Sequence, residues 1–227
     1  MNLIRTFWQS QIGKKIVMAV TGIIGVLFVI GHMIGNLQVF EGADKINAYG
    51  KFLHHTVGLE LWLVRLGLVA AVVLHVVAAT QLTARANASR PQGYKRRNPQ
   101  VSTLASRTMR WGGVLLLVFI VLHILHFTVR SFPGYQGTVT IDGVDTVDVY
   151  ANLITAFRNP LWVAFYVVSM IALGLHLYHG VWSSMRTLGA AKPSPAPLKR
   201  QVALGLAVLL WAGFTIVPIG IFLGFAR

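Results

Sequence analysis

The stretch Leu115-Leu116-Leu117-Val118-Phe119-Ile120-Val121-Leu122, which follows Arg110 and runs into His123, decides the fold. Eight apolar residues in a row leave a helix no polar face, so water is the wrong solvent for it. Extended to 110–131, it reaches the roughly 20 residues that a helix needs to cross a bilayer core. Four other stretches do the same, at about 16–38, 60–83, 159–183 and 201–225. Pro218 inside the last predicts a kink, because a membrane helix tolerates proline without stopping. The expectation is an all-α integral membrane protein, a single membrane domain over 1–227. Its first four transmembrane helices form a bundle and a fifth lies beside them.

Composition agrees. Of the 227 residues, 55% are hydrophobic and 11% charged, against about 25% charged in soluble domains. Cysteine is absent, which excludes disulfides, iron–sulfur clusters, thiolate metal sites and covalent haem attachment in this chain. The net charge of +14 does not point to nucleic acid. A nucleic-acid binder gathers its basic residues on a folded soluble face, whereas here they fall between apolar runs, beside membrane lipids. Lys14 and Lys15 ahead of the first run resemble a signal peptide. That run passes about twenty residues and lacks a small-x-small cleavage site, so it reads as a retained helix.

The connections are 39–59, 84–109, 132–158 and 184–200. Pro133-Gly134 and Asp142-Gly143 predict a turn or small hairpin over 132–149, and Lys192-Pro193-Ser194-Pro195-Ala196-Pro197 predicts an extended linker. Five spans put the N-terminus and the second and fourth connections on one side. That side carries Arg5, Lys14, Lys15, Arg85, Arg90, Lys95, Arg96, Arg97, Arg107, Arg110, Arg186, Lys192, Lys199 and Arg200, fourteen of the twenty basic residues. The acids Glu41, Asp44, Glu60, Asp142, Asp145 and Asp148 all fall on the other. The positive-inside rule therefore predicts a cytoplasmic N-terminus and an outer C-terminus.

Six of the eight histidines lie within predicted spans: His32, His75, His123, His126, His176 and His179. Ionisable residues in a bilayer face the protein interior and have a partner. A helix rise of about 1.5 Å per residue puts His75 and His176 each roughly 15 Å from the basic boundary. His32, His123 and His126 come out about 25, 20 and 24 Å from it. Two layers result, an inner one on the second and fourth helices and an outer one on the first and third. Two imidazoles facing each other at one depth are the donor set of a b-type haem, so two haems b are expected. Facing helices are where bundles build cofactor sites. Depth prefers His126 to His123 outside and His176 to His179 inside. The spare histidines remain for a propionate, a quinone, the backbone or helix packing.

Small residues beside these histidines leave room for a flat group: Gly25, Gly31 and Gly35 near His32, Ala71, Ala78 and Ala79 near His75, and Gly180 after His176. Close helix packing is the competing explanation. Two histidines per layer leave a tetrahedral zinc site incomplete. A chain of proton-relaying histidines in a haem-free transporter is a further alternative.

Ser10-Gln11-Ile12-Gly13-Lys14-Lys15, Met18-Ala19-Val20-Thr21-Gly22 and His32-Met33-Ile34-Gly35-Asn36-Leu37 together resemble the first helix of the cytochrome b subunit of succinate dehydrogenase/fumarate reductase. The likeness is to the single-chain, five-helix, two-haem type, cytochrome b558-like. His176-Leu177-Tyr178-His179-Gly180-Val181-Trp182-Ser183 is similar to its fourth-helix pattern, and Asn159-Pro160 opens that helix. The resemblance spans nearly the whole chain. It implies axial haem-iron ligation by His32 and His123 in the outer pair and by His75 and His176 in the inner pair, with His126 and His179 as alternates. It thus chooses His123 where depth prefers His126.

The resemblance further implies a membrane anchor and electron conduit of a bacterial inner membrane. A flavoprotein subunit oxidises succinate, and an iron–sulfur subunit docks on the cytoplasmic side. A quinone, menaquinone by family analogy, is the electron acceptor in the membrane, and a higher oligomer of the complex is compatible with this. Propionate partners are expected among Arg107, Arg110 and Arg186 inside and Arg130 outside. For the outer quinone, Glu60, His54, His55, Tyr49 and Gln38 are available, and Glu60 is the candidate proton relay. The alternative within the same chemistry is the two-haem subunit of another respiratory complex, such as nitrate reductase, formate dehydrogenase or hydrogenase.

Overall fold

A computed structural model describes residues 2–89, 102–135, 137–190 and 197–226. Arg90, Lys95, Arg96, Arg97 and the linker over 192–196 lie outside the described residues. The helices are α1 (Leu3–Gln9), α2 (Gln11–Leu37), α3 (Ala43–Lys51), α4 (Gly58–Ala88), α5 (Leu104–His123), α6 (Val149–Phe157), α7 (Pro160–Thr187) and α8 (Pro197–Phe222). Strands β1 (Thr138–Ile141) and β2 (Val144–Val147) form one antiparallel hairpin. Five helices, α2, α4, α5, α7 and α8, are long and apolar enough to cross a membrane. They match the five expected spans and extend several of them. Leu63, Leu66, Val69 and Val73 on α4 are exposed, which suits contact with lipid tails.

Local chemistry sets the helix starts. Ser10 caps α2 by accepting the Gly13 N–H at 2.8 Å and gives its own hydroxyl proton to the Phe7 carbonyl, also at 2.8 Å. This double bond of one side chain closes a tight corner between α1 and α2, where a Cβ on Gly13 would run into the Phe7 carbonyl. Asn159 accepts the Leu161 N–H at 2.9 Å, and Pro160 takes the first position of α7, where no intrahelical N–H bond is needed. Helix α8 runs on through Pro218, which is buried.

The packing is uneven in an informative way. α2 packs on α4, α7 and α8, and α7 packs on α5 and α8. Among the described residues, no comparable packing joins α4 to α7 or α2 to α5. The four-helix part is therefore held along three sides, α2–α4, α2–α7 and α5–α7, and left apart across its two diagonals.

The connections 39–59 and 132–158 hold more structure than their polarity predicts. The 39–59 segment contains α3 and a wide π turn, Phe52–Thr56. The expected hairpin is present, with Ile141 paired to Val144 and positive φ at Asp142 (49°) and Gly143 (73°), the turn that an Asp-Gly pair favours. Beyond it, α6 is apolar and packs Leu153, Ile154 and Phe157 against Val39, Ile46, Val217 and Ile221. Asn47, 3% exposed, pins this lid by donating to Asp148 Oδ1 at 3.0 Å and accepting the Tyr150 N–H at 2.9 Å. Lys51 adds an ion pair with Asp142 at 2.9 Å.

Candidate functional site

The two diagonals that do not pack are the ones crossed by imidazoles. His75 of α4 faces His176 of α7 with ring centres 6.2 Å apart. His32 of α2 faces His123 of α5 with ring centres 5.7 Å apart. Two imidazoles sharing one metal ion at about 2 Å each, with roughly 1 Å from nitrogen to ring centre, have centres about 6 Å apart. Both pairs match that spacing. Among the described residues, no group of three or more His, Asp or Glu side chains converges, so a tetrahedral zinc donor set is missing.

Each pair has its own surroundings. The outer rings are walled by aromatics: Phe28 stacks on His32 at 5.3 Å, Phe119 stacks on His123 at 5.5 Å, and Phe214 of α8 lies 5.9 Å from His32. The inner pair is barer. A Cβ on Gly22 would lie 3.5 Å from Cε1 of His75, so glycine lets that ring lie close to α2. His176 lines a small cavity of about 60 Å³ with Thr108, Met109 and Gly112. Its Nδ1 is buried without a hydrogen-bond partner among the described residues. An unpaired buried ring nitrogen is uncommon and asks for a partner.

Hydroxyl groups brace one ring of each pair, and sequence reading missed both. Thr21 Oγ1 lies 3.1 Å from Nδ1 of His75 and donates its proton to the Val17 carbonyl at 2.7 Å. Tyr166 Oη lies 3.2 Å from Nδ1 of His123 and 3.1 Å from Nδ1 of His126. Thr21 falls within a motif already noted on the first helix. Nothing in the sequence joins it to a histidine 54 positions away.

The spare histidines separate cleanly. His126, preferred on depth alone, is 2% exposed and turned toward α7, where it stacks on Trp162 at 4.0 Å. The cause is a wide π turn over Ile124–Thr128, which turns less per residue than an α-helix and swings His126 off the face that His123 presents to His32. His179 is half-buried one turn beyond His176.

The remaining expected residues lie at the ends of the bundle. Arg107, Arg110 and Arg186 are exposed at the basic end. Arg110 donates to Asn87 Oδ1 at 3.0 Å, and Arg186 lies over Trp182 at 5.7 Å. Arg130 is exposed at the other end with φ 60°. There, burial first, then Arg65, His55 and Arg130, hold His54 below its ordinary range. Arg65, unnoticed in the sequence, sits half-buried on α4 over Trp62 at 5.0 Å. Glu60 is exposed on the first turn of α4, and Tyr49 presses on Gly35, where a Cβ would approach its ring to 2.7 Å. These polar residues thus share one end of the bundle.

The class so defined is a five-helix membrane protein with two facing-histidine centres, one above the other. The chain is similar to the succinate dehydrogenase cytochrome b558 subunit of Bacillus subtilis (strain 168), with 22% identity over 194 residues. The match covers 84% of this chain and 85% of that protein. No family model matches the chain, and no solved structure matches it.

Proposed function

We propose that the chain is the membrane-anchoring cytochrome b subunit of a succinate:quinone oxidoreductase, holding two haems b. The observation that carries this reading is the pairing of imidazoles at 5.7 and 6.2 Å across the two diagonals that helix packing leaves open. The named relative, alike over most of both chains, supports the choice of complex. His32 and His123 would hold the outer haem, and His75 and His176 the inner one. Two haems so held supply a one-electron relay across the membrane between a docked iron–sulfur subunit and a quinone, menaquinone on this reading.

The chain's own part is to bind, orient and exclude water. Thr21 and Tyr166 brace ring nitrogens, and Phe28, Phe119 and Phe214 close the outer site. The basic ends of α4, α5 and α7 offer Arg107, Arg110 and Arg186 to propionates and to the docked subunits, with the N-terminus cytoplasmic. Arg130 serves the outer end, where Glu60 delivers a proton to the quinone.

Purification of the complex through a tag on this chain tests the reading. Co-elution of an iron–sulfur and a flavin subunit, with succinate-dependent quinone reduction, is the expected result. A molybdenum or nickel subunit in their place contradicts it and favours another respiratory complex. Absence of any haem b spectrum favours a histidine-relay transporter.

A further inference from the structure

Tyr166 lies on α7, 6% exposed, with its hydroxyl at hydrogen-bond distance from two ring nitrogens: Nδ1 of His123 at 3.2 Å and Nδ1 of His126 at 3.1 Å. A phenol has one proton to give, and its oxygen accepts as well. Two bare imidazole nitrogens cannot both be satisfied by that single proton. For both contacts to be hydrogen bonds, one ring must donate to the phenol oxygen and the other must accept from it.

The two-haem reading chooses the direction. His123 faces His32, and a ring that offers Nε2 to a metal carries its proton on Nδ1. His123 is therefore the donor to Tyr166, and His126 the acceptor from it. His126 is suited to that task, because it is buried and held against Trp162 at 4.0 Å with Phe127 at 4.4 Å. The π turn after His123 brings both nitrogens to one hydroxyl while only one ring faces α2. A metal-binding histidine commonly donates its other N–H to an acceptor that fixes its tautomer and raises its basicity.

We propose that Tyr166 is a positioning residue for the outer haem: it accepts the Nδ1 proton of His123 and passes its own to His126, so that His126 serves as the anchor of the ligand and not as a ligand itself. The inference rests on the two-haem reading above. It gives a role to the histidine that the pairing leaves over. A more basic axial ligand stabilises the oxidised iron, so the string lowers the potential of the outer haem. Hydrogen bonds in a chain strengthen one another, which makes His126 part of the effect.

Redox titration of the purified complex by visible absorption tests it, with the outer haem identified as the one lost in His32→Ala. Tyr166→Phe keeps the ring packed between Phe119 and Phe157, at 5.2 and 5.0 Å, and removes only the hydroxyl. The expected result is retention of both haems, an upward shift of the outer potential and an unmoved inner one. His126→Phe keeps an aromatic ring beside Trp162 and produces a smaller shift in the same direction. Unchanged outer potential in Tyr166→Phe with both haems bound overturns the proposal. If Tyr166→Phe loses the outer haem, His126→Phe decides: an upward shift supports the string, and none overturns it. A wild-type complex without two b haems overturns the underlying reading instead.

Discussion

The Thr21 hydroxyl lies 3.1 Å from Nδ1 of His75 while its proton goes to the Val17 carbonyl at 2.7 Å. Its oxygen is then free to accept from Nδ1 of His75, whose ring lies across from His176. One threonine on α2 thus braces a ring on α4, on the proposed reading a ligand of the inner haem.

Thr21→Val keeps the shape of the side chain and removes the acceptor. Affinity for the inner haem is expected to fall roughly 10- to 100-fold, the usual cost of losing a partner that orients a metal-binding histidine. Haem titration into the stripped protein reads this directly. Equal weakening of both haems, or of neither, goes against the assignment.

Asn47 holds the outer lid by one bond to Asp148 and one from Tyr150, in a place 3% exposed. Asn47→Ala is expected to cost about 1–3 kcal/mol, since buried polar partners lose their bonds. Hydrogen exchange across the hairpin and α6 should quicken, while the spans keep their protection. Unchanged exchange in the lid counts against this role for Asn47.

Glu60→Gln removes a carboxyl from the first turn of α4 and leaves the haem sites alone. If it relays the proton, quinone reduction is expected to drop on the order of 100-fold with an unaltered haem spectrum. Full activity in the variant rejects the relay.

The membrane architecture was legible because every span carries its own evidence. The run Leu115 to Leu122 needs no neighbour to declare that it avoids water, and charge segregation checks the number of crossings. Residue counts gave two depths of imidazoles, since a helix converts sequence distance into depth, but counting preferred His126 and only the family resemblance chose His123. Lateral facts were harder. His123 and His126 differ by one turn in depth, and a local widening of the helix at Ile124–Thr128 decides which ring faces His32. No apolar pattern encodes that widening. Thr21 and Tyr166 were missed because each acts across a helix–helix contact. The partner of Thr21 is 54 positions away, and the partners of Tyr166 are 43 and 40 away. α3 and α6 escaped notice for another reason. They are short helices lying outside the spans, and their burial depends on each other.

Haem content of single-histidine variants tests the central claim most directly. Per-chain haem b would be counted in the wild type and in His32→Ala, His123→Ala, His75→Ala and His176→Ala. The account predicts two haems in the wild type and one in each variant. The spectrum lost should be shared by the His32 and His123 variants, and a different one by the His75 and His176 variants. His126→Ala should keep both. A single variant that loses both haems, or losses that pair the histidines of other helices, would contradict it.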